Sequence, residues 1–476
     1  MTRLFMPQAT KKRLKPDSTS KSVQQKPIDT FFKSKKMRPS GDDTANGGAQ
    51  GIQWREFGKT WMGKFGSPTP ATKFAAFDLD GTLVCTVGSN IHPKDSDDWR
   101  FFHPDVPKLL RNIHQQGYKI VLMSNQNGLK PKKGTTGLTV RAADFRLKIS
   151  KIAQQLEIPF TIFAAIAKDF MRKPSPGMWH MAELDNNPLV VDKAASFYVG
   201  DAAGRPAGWK RGVAADHSDC DLAFALNVGV AFYTPDEIIT TAICARAQLL
   251  PLPPPHMWPL GCFSPKTLQV DADGHSALLA DLQANVSLAT TQKSGLLVLL
   301  VGPPACGKST FASTHLAPLG FECVNMDTLG TRKKCTDAVK KALEAGRFVV
   351  VDNTNPDSTS RGSFIAIARH VGAASIAVVF EHKSRDLAMH NNQYRSKRAQ
   401  ARFLYRQKQQ QQVDEKAVSL YDIPNGDDRV PDVAYHTYFK KFELPTESEG
   451  LARILHHSFA PTFDCSDDEG LWRQYH

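Results

Sequence analysis

Two groups of residues have the types and spacing to move phosphoryl groups. In the first, Asp78-Leu79-Asp80-Gly81-Thr82-Leu83 follows the apolar run 73–77. Two carboxylates one residue apart then point the same way from a strand's end, where a glycine releases the chain and where parallel α/β sheets bind ligands. One such carboxylate can attack phosphorus and form an acyl phosphate while its neighbour protonates the leaving oxygen. By itself the hexapeptide could equally be a turn with an Asx cap. Three later features argue for chemistry: Ser124-Asn125 after the run 120–123, Lys173 in Arg172-Lys173-Pro174-Ser175-Pro176-Gly177-Met178-Trp179, and Gly200-Asp201 after 197–199. They offer a hydroxyl for a phosphoryl oxygen, a cation for developing charge and a third carboxylate to hold Mg²⁺.

In the second group, Gly302-Pro303-Pro304-Ala305-Cys306-Gly307-Lys308-Ser309 fits GxxxxGK[ST] between the buried run 295–301 and a helix predicted to begin near Thr310. Backbone N–H groups of such a loop cradle the phosphates of ATP, Lys308 reaches the β- and γ-phosphates, and the Ser309 hydroxyl joins the Mg²⁺ shell. Asp327, in Asn325-Met326-Asp327-Thr328-Leu329-Gly330, could accept the proton of an attacking hydroxyl, or could merely cap a helix. Asp352 ends the run 348–351 in the place of a Walker B-like acid. Arg361 and Arg395 are available to bind an acceptor phosphate and to clamp the transferring group, although a lone arginine is often only a surface residue.

Elements must hold these groups in place. Buried strand-like runs at 73–77, 119–123 and 196–199, with helix-compatible stretches between them, predict an α/β domain on a parallel sheet, and runs at 295–301, 348–351 and 375–380 predict a second. The Pro-rich run 250–255 fits neither helix interior nor central strand and marks a boundary. The expected organisation is a disordered basic tail at 1–70, a phosphatase-like domain at 71–245, a linker at 246–294, a P-loop domain at 295–455 and a C-terminal tail at 456–476. No repeat at solenoid periods is present, and the glutamines of 407–412 suit an exposed loop or helix. A 41% hydrophobic and 22% charged composition, with no run near the ~20 apolar residues of a membrane span, is that of a soluble protein. Eight cysteines without CxxC pairs predict reduced thiols and an intracellular setting.

The formal charge of +13 is uneven: residues 1–40 hold eleven Lys/Arg against Asp17 and Asp29. Such an arm suits nucleic acid or an import receptor, and Lys11-Lys12-Arg13 with Lys33-Ser34-Lys35-Lys36 predicts a nuclear protein, a mitochondrial presequence being the alternative. Within it Gln25-Lys26-Pro27-Ile28-Asp29-Thr30-Phe31-Phe32 fits Q-x-x-[ILM]-x-x-[FY]-[FY], the pattern that plugs a pocket on sliding clamps. Ile28, Phe31 and Phe32 would form the plug and Gln25 the amide contacts.

The first group resembles the haloacid-dehalogenase-type phosphatases, whose four motifs run in this order. Residues 173–179, 198–205 and 221–228 narrow the resemblance to the phosphatase half of the polynucleotide kinase 3′-phosphatases. The phosphate loop, Asp327-Thr328-Leu329-Gly330, residues 352–357 with Arg361, and residues 390–395 resemble that family's kinase half. The resemblance spans roughly 72–450. It implies Asp78 as nucleophile, Asp80 as acid/base, Ser124 and Lys173 as phosphate ligands, and Asp201 as metal ligand beside Asp78 and the Asp80 carbonyl. It further implies Asp327 as general base and Arg395 as lid arginine. Among Asp216, Asp219 and Asp221, Asp221 is the choice to support the metal site. The implied function is repair of DNA strand-break ends: 3′-phosphates are hydrolysed and 5′-hydroxyls phosphorylated with Mg²⁺ and ATP, so that a DNA ligase can follow. Rival readings are a kinase/phosphatase of a small metabolite, an RNA-end healing enzyme, and a clamp-bound DNA adaptor with inactive sites.

Three departures from the family pattern carry expectations of their own. No forkhead-associated domain is expected ahead of the phosphatase, so phosphopeptide docking is not carried over; Thr331-Arg332 stands where an aromatic commonly follows, which removes the expectation of base stacking there; and 396–429 is longer, either as an extended DNA surface or as a solvated insertion.

Overall fold

A computed structural model describes residues 51–90, 92–129, 138–238, 260, 263–268, 272–380, 385–413, 422–424, 429–459, 461 and 463–476. The clamp-like motif at 25–32, the import-like lysines and the Pro-rich run 250–255 lie outside them.

The N-terminal half is built on seven strands: β1 (Gln53–Phe57), β2 (Thr60–Phe65), β3 (Lys73–Phe77), β6 (Tyr118–Asn125), β7 (Phe160–Ala165), β8 (Phe197–Val199) and β9 (Ala231–Tyr233). β4 (Val84–Cys85) and β5 (Arg100–Phe101) form a small separate hairpin. The sheet order is β1-β2-β7-β6-β3-β8-β9, parallel from β7 to β9, with β1 and β2 antiparallel at one edge. Central strands are apolar on both faces because both are covered. Ala75, Phe77, Ile120 and Leu122 enter one core, while Phe74, Ala76, Val121 and Met123 enter the other.

Among the described residues regular structure therefore begins at Gln53, which corrects the part of the expected tail from 51 to 70. Polar residues interleave β1 and β2, so average composition resembles the tail. What anchors them is a few large contacts: Trp54 packs on Trp61 and Phe145, and the Arg146 guanidinium lies 4.6 Å from the Trp61 ring.

The C-terminal half carries a five-stranded, wholly parallel sheet in the order β11 (Glu322–Val324), β12 (Phe348–Val351), β10 (Leu296–Val301), β13 (Ala374–Phe380) and β14 (Arg453–His457). The helix Ala272–Gln292 buries Leu278, Leu282, Val286 and Ala289, spaced at one per helical turn, against Leu296, Val298, Leu300 and Leu455. The second part of the expected linker 246–294 is thus a packed element of the P-loop half. The expected tail 456–476 is also corrected: the helix Ser466–Trp472 buries Leu471 and Trp472, and Trp472 Nε1 donates to Asn391 at 2.8 Å.

One helix, Arg385–Val413, belongs to both halves; its 29 residues span about 43 Å at 1.5 Å per residue. Ala401 and Leu404 sit in the core that holds Phe170, Met178 and Trp179. Gln400 Oε1 accepts from the Phe170 N–H at 2.9 Å, Lys397 Nζ donates to Ser175 Oγ at 2.8 Å, and Lys408 pairs with Glu183 at 2.6 Å. Residues 396–411 therefore dock on the N-terminal half, which corrects the solvated-insertion reading for this stretch, and the glutamine run takes part through Gln411, which donates to the Leu184 carbonyl.

Candidate active sites

Three neighbouring parallel strands deliver the first site. Asp78 follows β3, Ser124 and Asn125 end β6, and Asp201 follows β8; the Asp78 N–H donates to the Val199 carbonyl, locking the first and third tips together. Lys173 arrives on a loop held by a reciprocal pair with Asn125: its N–H donates to Asn125 Oδ1 at 3.0 Å, and Asn125 Nδ2 donates to its carbonyl at 3.2 Å. The buried ammonium of Lys173 donates to Asp78 Oδ1 at 2.6 Å, Asp221 Oδ1 at 2.7 Å and the Tyr198 hydroxyl at 2.8 Å. Tyr198 in turn donates to Asp221, whose other oxygen accepts from the Ala202 N–H.

Carboxylate oxygens of Asp78, Asp201 and Asp221 all lie within 4.8 Å of one another. Two glycines make this possible. A Cβ on Gly81 would come within 2.5 Å of Asp201, and one on Gly200 within 2.5 Å of Asp221. Asp221 is the acid that joins the site, at the buried first turn of the helix Cys220–Val228. Asp216 instead binds Arg205, and Asp219 is the residue preceding that helix. The carboxylate of Asp80 stands apart from this triple, accepting from Lys148 Nζ at 2.6 Å and from Gln126 Nε2 at 2.7 Å. Four carboxylates facing two ammonium groups leave an excess of two negative charges, the complement of one divalent cation.

The second site forms where β10 ends in the phosphate loop. Gly302 is obligatory, since a Cβ there would meet Cys306 Sγ at 2.7 Å and Phe380 at 2.9 Å, and Ala305 and Gly307 take the left-handed backbone that curls the loop. Lys308 lies buried and donates to the Gly302 and Pro303 carbonyls at 3.0 and 2.7 Å, while Ser309 and Thr310 open the following helix exposed. The cap of the short helix Met326–Leu329 is Asn325, whose side chain accepts from the Thr328 N–H; the Asp327 carboxylate is left exposed. Asp352 follows β12, half-buried, its N–H tied to the Val324 carbonyl. Arg395 is exposed on the long helix.

Models of two families match the chain: polynucleotide kinase 3 phosphatase over residues 73–239 and an AAA domain over 297–418. A bifunctional polynucleotide phosphatase/kinase of Schizosaccharomyces pombe is 32% identical over 421 residues, which cover 88% of this chain and 88% of that protein. The chain belongs to the bifunctional polynucleotide phosphatase/kinase family. The polynucleotide 3′-phosphatase ZDP of Arabidopsis thaliana is 33% identical over 176 residues, covering 35% of this chain and 24% of that protein.

Within this phosphatase/kinase, Arg361 does not take the acceptor-binding role that its residue type suggested. It is wholly buried, paired through two nitrogens with Glu449 at 2.8 and 2.7 Å, and donates to the carbonyls of Asn355, Pro356 and Glu443. Burial on all sides closes the guanidinium to a ligand; Arg361 is a structural strut. Arg332 lines the open kinase cleft instead. That cleft, of about 920 Å³, is bordered by Pro304 and Thr354 beside the phosphate loop and by Lys441. Lys148 and Gln126 were not among the residues singled out by motif, because each acts through Asp80, 68 and 46 positions away.

Burial pushes the Asp78 carboxyl well above its ordinary range; the Lys173 charge opposes the rise, and those of Asp221 and Asp201 add to it. Burial, then the Asp221 charge, push Asp201 up to about 6. Burial also works against the Lys173 charge, yet Asp221 and Asp78 outweigh it and raise its pKa.

Proposed function

We propose that this chain makes DNA strand-break ends ligatable, removing 3′-phosphates at the first site and phosphorylating 5′-hydroxyls from ATP at the second. The observation that carries the reading is the Lys173–Asp78–Asp221 arrangement beside Asp201, in a chain that also holds an intact phosphate loop.

In the phosphatase, Asp78 attacks phosphorus, Ser124 and Lys173 hold the phosphoryl oxygens, and Asp80 gives the leaving 3′-oxygen its proton. Asp78 and Asp201 would hold Mg²⁺, with Asp221 supporting them through Lys173 and the Ala202 N–H. The bound ion supplies positive charge that keeps these carboxylates ionised and offsets the phosphoryl charge. In the kinase, Lys308 leaves its loop carbonyls for the ATP phosphates, Ser309 and Asp352 face the metal-nucleotide, Asp327 takes the proton of the 5′-hydroxyl, and Arg395 closes on the transferring group. Arg332 and Lys441 suit the backbone phosphates of the acceptor strand.

The basic arm fits a nuclear protein, and Gln25, Ile28, Phe31 and Phe32 fit a sliding clamp; a ligase would act on the product. Nicked DNA with 3′-phosphate and 5′-hydroxyl ends, incubated with protein, Mg²⁺ and ATP beside the matching RNA, tests the reading. Both DNA ends should convert; conversion of RNA alone would replace DNA as the substrate.

A further inference from the structure

Asp80 must present one oxygen within hydrogen-bond reach of the leaving oxygen, yet 38% of its side chain is exposed, against 9% for Asp78. A short carboxylate with that freedom samples several rotamers, and misplacement by 1 Å can cost on the order of 10²-fold in rate. Two donors remove the freedom, one on each oxygen. Lys148 Nζ binds Oδ1 at 2.6 Å and Gln126 Nε2 binds Oδ2 at 2.7 Å. Lys148 comes from the helix Val140–Leu156, where it is buried along with Phe145, Ile149 and Ile152 and where an unpaired ammonium would be costly. Among the described residues Asp80 is its ion-pair partner. The Gln126 amide also donates to Ser124 Oγ at 2.9 Å, and its backbone N–H is fixed on the Ala165 carbonyl. One carboxamide thereby ties the acid/base to the hydroxyl that holds the phosphoryl group.

We infer that Lys148 and Gln126 are positioning residues, which hold the Asp80 carboxyl in register with the Ser124 phosphate cradle for both proton transfers of the phosphatase. The inference rests on the phosphatase reading above. In the first transfer an Asp78 oxygen bonds to phosphorus as the P–O3′ bond breaks, and the Asp80 proton passes to O3′, which departs as the 3′-hydroxyl. In the second, water attacks phosphorus and yields its proton to Asp80. The bond from phosphorus to Asp78 breaks, inorganic phosphate leaves, and both groups are restored. Lys148 thus serves the acid/base as Lys173 serves the nucleophile.

The test compares leaving groups in single-turnover and burst measurements on the full chain. A 3′-phosphorylated oligonucleotide needs a proton on its leaving oxygen; p-nitrophenyl phosphate does not, because p-nitrophenolate leaves as a stable anion. With Lys148→Met, cleavage of the 3′-phosphate should fall about 100-fold, within the range of general-acid contributions, while the p-nitrophenolate burst falls only several-fold. Gln126→Glu, which sets a second carboxylate against Asp80, should show the same split, and Lys148→Arg should recover part of the loss. Kinase turnover of the same preparations reports intact folding. Asp78→Ala tests the phosphatase reading separately, since activity surviving there overturns that reading whatever Lys148 does. Equal falls on both substrates, or no fall on either, would overturn the positioning role.

Discussion

The two active sites meet their substrates in opposite states. In the phosphatase, Asp78 and Asp221 are buried and both already accept from the buried Lys173, and both oxygens of Asp80 are engaged. In the kinase, Ser309, Asp327 and Arg395 face solvent, and Lys308 is folded onto its own loop. A hydrolase must hold a nucleophile and its proton donor at fixed separation for a single small group, and preorganised charge is the means. A kinase must admit a bulky metal-nucleotide and an acceptor end together, and groups that close only on both protect ATP from water. The difference teaches that folding sets the protein groups of the first site, whereas those of the second are set by its ligands.

Separating the activities should give the largest effects. Asp78→Ala should lower 3′-phosphate hydrolysis by about 10⁴-fold or more, as loss of a nucleophile does, with kinase turnover intact. Lys308→Ala should lower 5′-phosphorylation by about 10³-fold with the phosphatase intact. Rates on singly modified oligonucleotides check both, and a joint loss in a folded variant would break the division between the sites.

Stability should divide the sites next. Lys173→Met leaves Asp78 and Asp221 buried without their cation and should cost about 3–5 kcal/mol in chelator, whereas Asp327→Asn, at an exposed position, should stay within about 0.5 kcal/mol. Denaturant unfolding of both variants measures this. Arg361→Met belongs with Lys173→Met, because it strands Glu449 beside buried carbonyls.

Acid and alkali should then separate the halves by sign. Asp201 is raised from 3.8 to about 6, so the metal-free fold binds its proton more tightly than the unfolded chain does; that stabilisation is present below pH 3.8 and lost as pH rises to about 6. In the kinase half burial, aided by His275 and His315, lowers His457 from 6.5 to about 4, so its stabilisation is present above pH 6.5 and lost as pH falls towards 4. Unfolding in chelator across pH 4–7 should therefore show Asp201→Asn gaining on the parent towards pH 6, and His457→Phe gaining towards pH 4. Divalent cation should erase the first difference and leave the second.

The same contrast governs what the sequence made legible. Asp78–Thr82 and Gly302–Ser309 are readable because a single turn of chain supplies the spacing the chemistry needs. Spacing could not choose among Asp216, Asp219 and Asp221, because the choice depends on which carboxylate meets Lys173 some 48 positions away. Lys148 sits mid-helix with no motif around it, 68 positions from Asp80. Arg361 was misplaced because its type speaks of phosphate while its burial depends on Glu449, 88 positions on. Strands β1 and β2 hid in a polar region because a few aromatic contacts, rather than an apolar run, secure them.

The smallest effect should come from Arg332, at the open end of the comparison. Its guanidinium donates to the Ser360 carbonyl at 2.6 Å and to Ser363 Oγ at 2.8 Å and lies 5.3 Å from the Phe364 ring, which aims it along the cleft wall without burying it. An exposed cation held in this way on the cleft wall suits acceptor phosphates, so its removal should weaken acceptor binding more than the chemical step. Arg332→Ala should raise the KM for a 5′-hydroxyl end by about tenfold, equivalent to ~1.4 kcal/mol, with kcat and the KM for ATP nearly unchanged. The variant should also show a shallower salt dependence by about one released counterion, because one phosphate contact is gone. Acceptor titrations at several salt concentrations check both quantities. A fall in kcat instead would place Arg332 on the transferring phosphoryl group and make the kinase site more preassembled than its exposed side chains indicate.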